Sequence, residues 1–237
     1  MRARRPALLA ALFLAACSPP DYSPVRDWTE AASLAADYRS PALATGMLSG
    51  APTSAEGDSL RAMQEALSLH LSMLSLVASD GVIPYRTQPF AEQLARLAPA
   101  DTAAQAPMTL LGEQLAYASR AMMQAPQLGS LIKKTDPNAQ ALIAAMTAAA
   151  DRQTNRDRGN AAALAGNAQY RAVLAQIAEG LALLAERSGT LSKGESAYYI
   201  RAAEHRLQLT DAALPRPALL LSPPPPAAAA PALPPRR

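Results

Sequence analysis

Two phenylalanines and one tryptophan are the chain's whole supply of large aromatics without a hydroxyl, and that scarcity limits the core it is able to build. Alanine, leucine and methionine have to fill the interior instead. These residues lose little side-chain freedom in a helix, whereas the β-branched and aromatic residues that favour strands are scarce. The chain therefore reads as all-α. About two hundred residues beyond the N-terminal segment are enough for one sizeable core. The expectation is a bundle of about five to seven helices.

The first sixteen residues have the layout of an export signal. Arg2, Arg4 and Arg5 make a cationic start, Ala7 to Leu14 an apolar run, and Ala15-Ala16 a small-residue exit. The run is far shorter than the roughly twenty residues of a spanning helix. It ends at Cys17, the only cysteine in the chain. Leu14-Ala15-Ala16-Cys17 resembles the lipobox of bacterial lipoproteins. That resemblance covers residues 1–17 alone, and the family of the remaining domain is not recognised. It implies a diacylglyceryl group on the Cys17 thiol, cleavage on its N-terminal side and acylation, as with palmitate, of the new amine. The partner so implied is a lipid bilayer, held through acylated Cys17. Ser18 after the cysteine resembles the pattern of lipoproteins passed to the outer membrane, facing the periplasm. With Cys17 occupied by lipid, no intrachain disulfide remains for the fold.

Charge follows from this division. Residues 1–16 hold three arginines and no acid, so 19 of the 22 basic residues remain, against 19 acidic ones. The mature chain is formally neutral, and the basic balance of the full sequence belongs to the signal. No concentrated basic footprint is left, which sets nucleic acid aside as a partner.

Along the chain, residues 17–26 read as a tether, 27–214 as the helical domain and 215–237 as a Pro/Ala-rich disordered tail in extended polyproline II. Asp27-x-x-Glu30 has capping-box spacing and predicts a helix to about Tyr38. Residues 41–53 read as a loop, and Thr53-x-x-Glu56 as a second capping box. The helix behind it, to about Ser79, carries one apolar stripe through Leu60, Met63, Leu67, Leu71, Leu74 and Ala78. A second stripe holds Leu69, Met73 and Leu76, which predicts a central helix. Gly81 suits the left-handed position after it. A short helix is expected over Pro89–Leu97. Another opens at Pro107, with Leu111, Leu115, Ala118 and Met122 inward and Pro126 with Gly129 as its stop. Asp136-Pro137 predicts the start of a long helix, 137–187, continuous or broken near Gly159. Ser192-x-x-Glu195 is a third capping box, opening a last helix to about Ala213.

Chemistry-bearing patterns are sparse. His70 lies between the two stripes of its helix, and His205 shares a helix side with Tyr198 and Arg201, a spacing usual for a solvated face. No metal-binding spacing, P-loop, dinucleotide fingerprint or nucleophile elbow occurs, so neither metal nor cofactor nor catalytic residue is expected. The polar stretch within 137–187 carries the candidate binding residues. If the helix is continuous, Gln153, Arg156, Asn160 and Asn167 fall on a face that is apolar on either side, where buried polar groups need partners. If it is broken, 151–160 is the exposed corner of a helical hairpin. The expected function is a lipid-anchored, non-enzymatic envelope protein acting as a scaffold, assembly or structural factor through helix-face contacts with an envelope protein partner. The alternatives are a small-ligand-binding helical module and an envelope enzyme of unrecognised site.

Overall fold

The structure, a computed structural model, describes residues 20–38, 55–84, 88–156 and 159–215. Among them are seven α-helices and no strand. In chain order they are α1 (Ser23–Ala36), α2 (Ala55–Ala78), α3 (Ala91–Ala95), α4 (Gln105–Arg120), α5 (Leu128–Arg156), α6 (Ala161–Glu186) and α7 (Gly194–Ala212). Two 3-10 turns, Pro99–Ala104 and Ala125–Gln127, lead into α4 and α5. Cys17, Thr53, the loop 41–53 and tail residues 216–237 lie outside the described residues.

Helices α1, α2, α5 and α6 close a four-membered ring. Helix α7 lies against α1 and α6, and α4 against α5 and α2. Partner spacing gives the directions. Ser33 meets Ser68 and Ser72, while Ser75 donates to Glu30, so α1 and α2 run antiparallel. Gln140 Nε2 donates to the Ala178 carbonyl at 2.8 Å and Arg171 pairs with Asp151, which sets α5 and α6 antiparallel. Helix α2 is central, with Met63, Leu67, Leu71 and Leu74 fully buried, but of its second stripe only Met73 is buried, Leu69 being half-buried and Leu76 39% exposed. Its contact with α1 also includes a polar cluster. Ser33 Oγ lies 2.9 and 2.7 Å from the hydroxyls of Ser68 and Ser72, small side chains that let the two backbones approach while satisfying each other.

Several expected boundaries move. Helix α1 begins at Ser23 with Pro24 in its first turn, four residues ahead of Asp27 and inside the segment read as tether. Proline fits there because its missing N–H would be unpaired anyway. Asp27 instead pairs with Arg26. The left-handed residue after α2 is Asp80 (φ 54°), not Gly81. Asp80 N–H bonds the Val77 carbonyl and Gly81 N–H the Leu76 carbonyl, completing a Schellman turn. Gly81 is needed for closeness, since a Cβ there would lie 2.9 Å from Leu76 O. Met122 does not join the inward stripe of α4 but stands 70% exposed in a second such turn, at φ 49°. Ser192 does not cap α7, whose N-cap is Lys193, and Glu195 turns to Arg187.

Neither stop nor start divides 128–156. Gly129 and Pro137 both lie inside α5, a 29-residue helix about 44 Å long at 1.5 Å per residue. An interior proline costs a backbone hydrogen bond. The buried row Leu128, Leu131, Ile132, Thr135, Ala139, Leu142, Met146 and Ala149 runs past it without changing face, so packing holds the helix together. The long segment does break at Gly159. Its two halves face each other, and Leu142 and Met146 share one core with Tyr170, Leu174, Ile177, Leu181 and Leu184.

Candidate functional site

The described residues form an open groove of about 580 Å³ between α3 and α4. Pro89 ends the connection from α2, and Phe90 turns into the core at 2% exposure, where its ring lies on Gly112 of α4. A Cβ at Gly112 would sit 3.3 Å from Phe90 Cδ2, so the missing side chain is what lets the ring form the floor. Leu94 adds apolar wall, and fully buried Met108 backs the lining. Glu113 and Arg120, seven residues apart and therefore on one side of α4, supply charges of opposite sign at the rim. Thr109 Oγ1 donates to the Gln105 carbonyl within its own helix, 2.9 Å away. Chemically, this arrangement offers an apolar trough with a polar edge.

Three titratable groups lie away from the groove. Both ring nitrogens of His70 are buried without a hydrogen-bond partner, and burial alone pushes its pKa down to about 4. Asp101, from the turn before α4, has a fully buried side chain that accepts from Arg152 of α5. Glu65 of α2 accepts from Arg96 and from Arg61, and the Arg96 bond is the main reason its carboxyl stays below the usual range. Among the described residues no group of three His, Cys, Asp or Glu gathers as a metal site.

The four binding candidates do not share a helix face, because the helix that was to align them breaks. Gln153 is half-buried in the last turns of α5. Arg156 is the final residue of that helix, and its side chain lies outside the described residues. Asn160 is the N-cap of α6, its side chain accepting from Ala163 N–H at 3.1 Å. Asn167 lies two turns further along, buried, its amide nitrogen without a partner. The chain therefore turns between α5 and α6 as the hairpin alternative has it, but 151–156 belong to α5, with 151–154 half-buried rather than an exposed corner. On α7, Tyr198, Arg201 and His205 occupy an exposed face.

The groove and the Asp101–Arg152 pair were missed. The sequence predicts a short helix over Pro89–Leu97, but nothing in it places Gly112 beneath Phe90. Asp101 and Arg152 stand 51 positions apart, with no periodic signal to join them. Compared with protein families, with curated proteins and with solved structures, the chain matches none.

Proposed function

We propose that this protein is a lipid-anchored, non-enzymatic helical scaffold or assembly factor of the bacterial cell envelope, docking an envelope protein through the α3–α4 groove. The observation that carries the reading is the groove between α3 and α4, floored by Phe90 and edged by Glu113 and Arg120. Such a trough suits the apolar side of a partner helix or extended segment, with the rim charges setting its direction. The lipobox-like Leu14-Ala15-Ala16-Cys17 supplies the anchor.

A photoreactive residue in place of Thr109 tests the reading in intact cells. The expected result is one protein adduct, weakened by Glu113→Lys and absent when the probe replaces Gln208 on the outer side of α7. No adduct at Thr109 above the level at Gln208 would refute it. The groove volume also falls in the range of small-ligand sites. A small molecule retained by the intact protein in native mass spectrometry, and lost on Glu113→Lys, would favour that second reading.

A further inference from the structure

The lipid-anchored reading has a geometric consequence for one end of the bundle. Helix α1 begins at Ser23, and Asp21 Oδ1 already accepts from Ser23 N–H at 2.9 Å. Four Cα–Cα steps lead from Cys17 to Asp21, a reach of at most about 14 Å. An anchored Cys17 therefore holds the α1 N-terminus next to the lipid headgroups.

Hydrogen bonds identify what else lies at that end. The antiparallel α1–α2 pairing brings the α2 C-terminal turn, Asp80–Val82, level with the start of α1. Asp80 Oδ1 accepts from Ala125 N–H at 3.0 Å, and Ser119 Oγ donates to the Ile83 carbonyl at 2.9 Å, so the turn after α4 adjoins it. Gly129 lies against Ser188, which adds the α6–α7 connection. Isolated exposed apolar residues are ordinary on any surface. Their placement here is not scattered. Of the four most exposed large hydrophobic residues described, Leu34, Val82 (75%), Tyr198 (71%) and Met122 (70%), the last three belong to this end. Met122 is held outward in a left-handed turn that its side chain disfavours. Tyr198, in the second turn of α7, is of the kind that settles at membrane interfaces. Exposed charges nearby are mixed, Arg120 and Lys193 with Asp80 and Glu195.

We infer that this end of the bundle is a membrane-contacting face, with Val82, Met122 and Tyr198 entering the lipid interface beside the anchor. The inference rests on the anchoring reading of Cys17. Because the local charges balance, the contact is apolar and insensitive to salt.

The test uses the full acylated chain in vesicles of phosphatidylethanolamine and phosphatidylglycerol. Nitroxide labels are placed through Val82→Cys, Met122→Cys and, at the opposite end, Ala161→Cys. Collision with a water-soluble nickel chelate is expected to fall about fivefold at 82 and 122 relative to 161, at low and high salt alike, as immersion in the interface requires. Deuterium uptake by the same two turns in the unsubstituted acylated protein, slowed on vesicles against detergent-free acyl-less chain, gives a reading independent of labelling. The mass of the Cys17 peptide separates the two ideas. A peptide without acyl chains would overturn the anchoring reading and this inference with it. An acylated peptide, with labels at 82 and 122 as accessible as at 161 and unslowed turns, would overturn this inference alone.

Discussion

Gly180→Ala tests the packing of α1 on α6 at its tightest point. Glycine inside a helix costs about 1 kcal/mol relative to alanine, so at an open position the substitution would stabilise by that amount. Gly180 is not open. An added Cβ would stand 2.5 Å from Trp28 Cε2 and 2.9 Å from its Nε1, and nearer still to Cζ2. Ordinary contact would require the indole to retreat by an ångström or so, and Trp28 is only 1% exposed. Overpacking of this kind costs about 1–3 kcal/mol, and with a rigid ring the upper end applies. Set against the helix gain, the net loss is about 2 kcal/mol. At a urea slope of about 2 kcal/mol/M the unfolding midpoint moves down by about 1 M. Denaturation followed by far-UV circular dichroism reads it. Trp28→Leu frees the space, so in that background Gly180→Ala is expected to be neutral or stabilising. The reasoning is refuted if Gly180→Ala alone stabilises the protein, or costs the same with and without the indole.

Four further outcomes are expected. Burial pushes the His70 pKa down to about 4 from its ordinary value near 6.5, so the unfolded chain binds the extra proton between those values. Its contribution is complete above about pH 6.5 and about 3 kcal/mol is lost as the pH falls to about 4; His70→Leu should remove that part of the pH–stability profile, and an unchanged profile would count against the burial. Arg152→Ala leaves the Asp101 carboxylate buried without its partner; since the arginine is partly exposed, a loss of about 2–3 kcal/mol in urea denaturation is expected, and Asp101→Asn should reduce the damage. Met122→Gly should stabilise by about 0.5–1 kcal/mol, because glycine accepts the left-handed turn and the lost side chain is mostly exposed. Asn160→Leu should cost about 1 kcal/mol as a lost N-cap, while Asn167→Leu should be neutral or stabilising because it removes a buried amide nitrogen without a partner; calorimetry of both separates capping from any shared polar role.

Legibility along the chain tracked the range of the interaction. The stripe of α2 and the rows that meet in the core follow from helical period, which neighbouring residues specify by themselves. Terminal signals were weaker. Asp27, Ser192 and Asp136-Pro137 carry the right residue types for helix starts, yet α1 starts earlier, α7 later, and α5 runs through Pro137. A cap is worth about 1 kcal/mol, and a buried row of Leu, Ile and Met outweighs it. Glycines misled for a related reason. Gly129 has the residue type of a stop, but it sits in a helix where Ser188 of the α6–α7 connection leaves no room for a side chain. The groove was illegible because its floor joins Phe90, just ahead of α3, to Gly112 of α4, two residues with no common period.

From composition and period alone the chain is committed to helices, since its apolar residues are mostly Ala, Leu and Met repeating at three and four positions. Those constraints are local, and they determine that a helix forms and which side of it is buried. They leave open whether 137–187 is one helix or two, which face of α4 is left as a groove, and which partner a buried Asp101 or His70 has or lacks. Each of these depends on what a different helix brings within a few ångströms, and that is set by the joint packing of the bundle rather than by any segment of its sequence.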